Sequence, residues 1–188
     1  MKFVSALLGG LLLAVSPLAA LADDMNYSFV ELDWINTDVD NGPSGDGFYV
    51  DGSVEFADHF FVFADYASQS VDVIDIDAYS VGLGGHFGIA ENLDFVGRIG
   101  YSELDLSAPG FSANADGYLV SAGLRSRVAD QFEMEGHIIY RDLGNQGGDE
   151  TAYSLGGRYH FSDMFAFGVE YQFGEDADTL FAGARFSF

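Results

Sequence analysis

The sequence contains no cysteine and only three prolines. Missing thiols exclude a disulfide framework, thiolate metal sites and thiol chemistry together. Lysine is nearly missing as well: Lys2 is the only one, and Lys plus Arg total 7 against 30 Asp plus Glu. A net charge of −23 excludes nucleic acid as a partner, because phosphate binding needs Lys/Arg patches. Beyond the first segment, no apolar run approaches the ~20 residues that a spanning helix requires. Acidic chains are commonly disordered when aromatics are scarce. Here aromatics make up 15% of the residues (18 Phe, 10 Tyr and 1 Trp), so disorder is not the reading. The length of 188 residues suits one domain with surface enough to bury a core.

Met1-Lys2 gives a positive start, and an apolar run follows from Phe3 to Val15. Ala20-Leu21-Ala22 then supplies a small-x-small cleavage site. Residues 1–22 are thus expected to be a signal peptide cut after Ala22, with residues 23–188 forming the mature domain. No cysteine follows for lipid attachment and no arginine pair marks a twin-arginine route, so export through the Sec route is expected.

Four segments of the mature chain resemble one another: Ala57-Asp58-His59-Phe60, Ala90-Glu91-Asn92-Leu93, Ala129-Asp130-Gln131-Phe132 and Ser162-Asp163-Met164-Phe165. Each leads into period-two alternation, as in Phe132-Glu133-Met134-Glu135-Gly136-His137-Ile138, which is a strand signal. The repeat therefore reads as a tight turn between strands. Longer stretches rich in Asp, Gly and Asn separate the pairs, at about 37–46, 69–77, 104–114, 143–150 and 174–178. The pattern predicts an all-β, up-and-down antiparallel meander of ten strands, with eight as the alternative. Strands are expected at 27–36, 47–56, 60–68, 78–87, 93–103, 116–128, 132–142, 151–161, 165–173 and 179–188.

Alternation alone leaves open which face meets a soluble core and which meets lipid. When each strand's apolar set is placed on one face, Arg98, Arg125, Arg127, Arg141, Arg158 and Arg185 all fall on the other. Glu31, Asp33, Asp51, Glu55, Asp65, Asp94, Glu133, Glu135 and Glu170 join them. A face with arginines, acids and no lysine suits a closed polar interior, where Arg's planar fork allows multidentate pairing. The apolar face is banded at both ends. Trp34, Phe48, Tyr66, Tyr79, Tyr101, Tyr118, Tyr140, Tyr153 and Tyr171 lie toward the long connections, and Phe56, Phe60, Phe87, Phe95, Phe132, Phe161 and Phe165 toward the short turns. Rings with a wet hydroxyl suit a membrane–water interface, as in the girdles of transmembrane barrels. The last residues alternate up to Phe188, and lipid offers unpaired backbone no partners, so this strand must close on the first.

Signal peptide, meander, girdles and terminal Phe188 together resemble the outer-membrane β-barrel superfamily of Gram-negative bacteria. The resemblance implies that Phe186 and Phe188 belong to a terminal signal read by the barrel-assembly machinery. More narrowly, Tyr27-Ser28-Phe29-Val30-Glu31, Phe48 to Val54, Phe60 to Tyr66 and the stretch from Asp176 resemble a family of porin-like barrels of about this length. Members of that family have been discussed as diffusible signalling or biofilm factors. It implies an outer-membrane location, lipid and lipopolysaccharide as surroundings, and no catalytic motif.

No constellation for catalysis emerges from the residues themselves. His59, His86, His137 and His160 all lie away from the long connections, so Asp/His and His/Ser pairs at the outer rim are missing. Gly82-x-Gly84-Gly85 sits inside a strand with no helix after it, so it is not a phosphate cradle. Asp38-Val39-Asp40-Asn41-Gly42 misses the EF-hand register. No cofactor or metal site is expected. Fifteen acids fall in the long connections, three in each, so the outer rim is expected to be negative. Such a rim suits solvation, attraction of cations to a pore mouth, or divalent-cation bridging to lipopolysaccharide. The expected role is non-enzymatic, structural or as a narrow cation-favouring pore. The alternative is surface interaction, adhesion or biofilm association through the acidic loops.

Overall fold

A computed structural model describes residues 25–188 of the chain; the expected cleavage site at Ala20 and Ala22 lies outside the described residues. Ten strands follow one another: β1 (Phe29–Val39), β2 (Ser44–Ala57), β3 (Phe60–Val71), β4 (Ile74–Ala90), β5 (Leu93–Ala108), β6 (Phe111–Ala129), β7 (Phe132–Asp142), β8 (Asp149–His160), β9 (Phe165–Phe173) and β10 (Ala177–Ser187). A one-turn helix, α1 (Gly144–Gly147), interrupts the β7–β8 connection. Each strand pairs antiparallel with its chain neighbours, and β1 pairs with β10 to close the barrel. The ten-strand, up-and-down expectation holds. Closure runs from Phe29 opposite Ser187 to Val39 opposite Ala177. It ends in a clasp: Phe188 N donates to Ser28 O at 3.1 Å, and Asn26 Nδ2 donates to Phe188 O at 3.2 Å.

The repeated segments are turns with an added device. In three of the four, the ladder slips by one residue just before the turn, between Glu55 and Ala57, Gly88 and Ala90, and Arg127 and Ala129. The skipped residues, Phe56, Ile89 and Val128, are apolar and exposed on the outer face. A bulge adds an unpaired residue and local twist, so the repeat sends one more apolar group outward at these three turns.

The opposite ends of the strands depart from expectation. β4, β5 and β6 run to 17, 16 and 19 residues, against 9 for β9. The stretches expected as loops at 69–77 and 104–114 are mostly ladder: Asp77 stands opposite Asp105, and Glu103 opposite Asp116. Only Asp72-Val73 and Pro109-Gly110 turn, with Asp72 (φ 56°) and Gly110 (φ 82°) in the left-handed region. These hairpins carry Asp and Asn at outward and inward positions alike, which hid their alternation. The barrel is taller on its β3–β6 side, and its acids there stand on sheet.

The apolar face points outward over the whole circumference. Leu32, Val81, Leu83, Ile99, Val120, Ile138 and Val169 form its middle, all exposed. Toward the short turns Phe56, Phe60, Phe87, Phe95, Phe132, Phe161 and Phe165 are exposed, and Phe186 and Phe188 join them with ring centroids 6.2 Å apart. Toward the other end lie Trp34, Tyr66, Tyr79, Tyr101, Tyr118 and Tyr153. Tyr140 and Tyr171 stand in the same band, against Tyr118 (6.1 Å between centroids) and Phe173 (4.7 Å). The buried residues lie inside and mix apolar side chains such as Phe29, Phe61 and Ile35 with charged ones such as Glu31, Glu133, Arg125, Arg158 and Arg185, unlike a soluble core, where charge is rarely buried.

Candidate functional site

The lumen holds a large open cavity and a small gap, and its two halves are built differently. The half near the short turns is filled from two sides. On the β3–β6 side Met25, Tyr27, Phe61, Phe63, Val96 and Leu119 pack into one apolar cluster. Phe61 is fully buried. It fits because Gly84 faces it: a Cβ on that glycine would run into the Phe61 ring, and one on Gly82 would meet Phe63 at 2.8 Å. Gly82 and Gly84, inside β4, thus give the two rings their room.

Tyr27 reaches this cluster from the segment before β1. Its ring stacks on His86 (3.9 Å between centroids) and on Phe61 (5.5 Å), and its hydroxyl donates to Asp94 Oδ2 at 2.7 Å. His86 in turn stands between Glu55 Oε1 (3.1 Å) and Asp94 Oδ2 (3.6 Å).

On the β6–β8 and β10–β1 side the filling is ionic. Arg125 donates to Glu133 through Nε (2.8 Å) and Nη2 (3.0 Å), a bidentate fork, and to Asn26 O through Nη1 (3.0 Å). Arg158 donates to Glu133 (2.8 Å), Glu31 (3.0 Å) and Glu135 (2.9 Å). Arg185 Nε donates to Glu31 Oε2 at 2.8 Å, and its Nη2 contacts the same oxygen. Glu133 is 0% exposed and has His160 Nε2 3.4 Å from its other oxygen. The two fillings meet where the Arg125 guanidinium lies 4.7 Å over the Tyr27 ring and Arg185 3.7 Å over Phe29. The gap left between them is about 10 Å³, room for one water at most.

The other half is open. A cavity of about 360 Å³ runs from mid-barrel to Gln69, Glu150 and Gln172 at the end away from the short turns. Seven inward acids and four arginines line it, with Glu103 at its edge. Arg98 pairs loosely with Asp51 (3.6 Å), and Arg141 with Glu150 (3.9 Å).

Of the twelve residues expected in the lumen charge set, the structure joins Glu31, Arg125, Glu133, Glu135, Arg158 and Arg185 in one network. It pairs Asp51 with Arg98, sets Arg141 near Glu150 and Glu55 beside His86, and leaves Arg127 and Glu170 without an ion pair among the described residues. Parity along the strands located these side chains on the inner face. It missed the aromatic filling, although Phe29, Phe61 and Phe63 share the phase of Glu31 and Asp65. It also missed Met25, which precedes the first expected strand, and Tyr27, which shares the phase of Phe29 and Glu31.

At the rim, girdle tyrosines hold acids. Tyr66 donates to Asp77 (2.6 Å), Tyr101 and Tyr79 to Glu103 (2.8 Å for Tyr101), and Tyr171 to Asp178 (3.1 Å). These hydroxyls hold the carboxyls of Asp77 and Glu103, which stand beyond the girdle, below the usual carboxylate range.

Comparison with known proteins gives one family. The model of the outer membrane protein beta-barrel domain matches residues 5–173. No curated protein matches the chain. Among solved structures, the KdgM porin is similar over 85% of this chain and 98% of its own, at 11% identity and a TM-score of 0.47. The NanC porin covers 86% and 100% at 10% identity and 0.48, and Ail, the attachment invasion locus protein of Yersinia pestis, covers 84% and 95% at 19% and 0.41.

Proposed function

This chain belongs to the outer membrane protein β-barrel family of Gram-negative bacteria, and on that premise we propose that it is a non-enzymatic barrel with a one-ended lumen. Barrels of this class keep short turns in the periplasm and longer connections outside. The filled half then faces the periplasm and the cavity opens to the exterior. The role that fits is structural, with an outward vestibule. A narrow pore fits less well, because the apolar cluster around Phe61 and the Arg–Glu network leave only the water-sized gap between them. That packing carries the reading. Small barrels are generally filled by side chains, and ten strands add little room.

Its surroundings are part of the proposal. The exposed apolar belt meets lipid, Phe186 and Phe188 present the terminal strand to the barrel-assembly machinery, and the acids of the tall hairpins face lipopolysaccharide, where divalent cations can bridge like charges. Planar-bilayer recording of the refolded protein tests the central claim. The expected trace is silent, while Tyr27→Ala, which removes the stacked ring and its bond to Asp94, admits intermittent conductance. Stepwise, cation-selective current from the unmutated protein would overturn the one-ended lumen in favour of a pore.

A further inference from the structure

The charges of the vestibule do not balance, and the imbalance lies on one wall. Arg158 and Arg185 are committed to Glu31, Glu133 and Glu135. Asp33, Asp65 and Glu170 line the cavity with no ion pair among the described residues. Asp51, 6% exposed, is held by Arg98 only through Oδ2 at 3.6 Å, and its Oδ1 has no hydrogen-bond partner.

Sheet register brings these groups together. Asp51 stands opposite Asp65, Asp33 opposite Tyr49, and Glu170 opposite Phe181. Gly183 leaves room for Asp33, since a Cβ there would meet its Oδ1 at 2.5 Å. Tyr49 and Phe181 also line the cavity, as an edge-to-face pair with centroids 5.3 Å apart. A buried carboxyl without a counter-charge is ionised only at a cost, and a cation entering beside it supplies the charge that favours the carboxylate. Among the described residues no group of three His, Asp or Glu side chains is disposed to hold a metal ion. Carboxylates beside aromatic faces suit an organic ammonium instead, with charge on the acids and a body against the rings.

We infer that the vestibule is a binding site for a small organic cation, an amine with an aromatic or aliphatic body, held between Asp33, Asp65, Glu170 and the Tyr49–Phe181 pair. The site rests on the one-ended lumen proposed above, but binding and conductance are separate measurements, and either can fail alone.

The test is calorimetric titration of the refolded full-length protein in detergent with phenethylammonium chloride, against neutral 2-phenylethanol and against Mg²⁺. The amine is expected to bind about tenfold or more tightly than the alcohol, a gap of the size that one charge-assisted contact supplies. Asp33→Asn with Glu170→Gln should remove that advantage, and Tyr49→Leu should weaken amine binding by about fivefold. Equal binding of amine and alcohol would overturn the inference, as would displacement of the amine by equimolar Mg²⁺. If the double variant does not refold, the ring resonances of Tyr49 and Phe181 in the unmutated protein decide it. They should shift with the amine and not with the alcohol, and rings unmoved by the amine would sink the proposal.

Discussion

The two halves of the lumen use the same residue types to opposite ends. Near the short turns Glu31, Glu133 and Glu135 face Arg125, Arg158 and Arg185, and nearly every donor of the three guanidiniums ends on a carboxylate oxygen or a backbone carbonyl. In the vestibule the acids outnumber the arginines, and Asp33, Asp65 and Glu170 have none. The first arrangement closes a barrel; the second leaves it able to take something in. A buried ion pair is weak evidence of net stability, but removing one partner strands the other. Pairing, rather than acidity, therefore separates the structural half from the receptive one.

Glu133→Ala would break that comparison most severely. It removes the acceptor of Arg125 Nε and Nη2, which leaves that side chain only Asn26 O, and the acceptor of Arg158 Nη1, at a site with no solvent, a loss of about 3–5 kcal/mol. Glu170→Gln, on the open side, strands no cation and should stay within roughly 1 kcal/mol of the unmutated protein. Urea unfolding of both variants in lipid vesicles measures the difference. Equal losses would erase the distinction between the halves.

The next test sharpens the comparison by asking whether it concerns the inside at all. Val120 lies between the inward Leu119 and Ser121, on the outer face in mid-strand, and is 40% exposed. Val120→Arg should cost about 2–4 kcal/mol near the bilayer midplane. A neutral outcome in the same unfolding assay would mean that the faces are reversed.

Most of this architecture was legible in the chain, for a physical reason. Lipid outside and charge inside enforce period-two alternation with little noise, so Arg98 through Arg185 all declared their face. The turn repeat and the terminal Phe188 bounded the strand count. Partners were not legible. That Arg158 reaches Glu31, 127 positions away, depends on how the sheet closes and staggers, and no local pattern records that. The tall hairpins were misread as loops because Asp75, Asp77 and Asp105 depress strand propensity while the ladder persists through them. Tyr27 stands in phase with Phe29 and Glu31, but an aromatic ring on the charged face gives no sign of which partners it will meet.

The smallest effect belongs to the rim, where hydroxyls do for acids what arginines do below. Glu103 accepts from Tyr79 and Tyr101, and those bonds hold its carboxyl below the usual range. A group whose folded pKa is depressed contributes stability that is present above its unfolded pKa and lost as pH falls through the folded one. The rim should therefore loosen only in acid, below the ordinary carboxylate range, and only slightly, because the site is open to water. Carboxyl-carbon NMR titration measures this directly. Glu103 should titrate below an unbonded glutamate, and Tyr79→Phe with Tyr101→Phe should move its midpoint upward. If the midpoint stays where it was, the two hydroxyls do not set it. The rim would then differ from the filled lumen in kind as well as in strength, with its acids solvated by water instead of held by side chains.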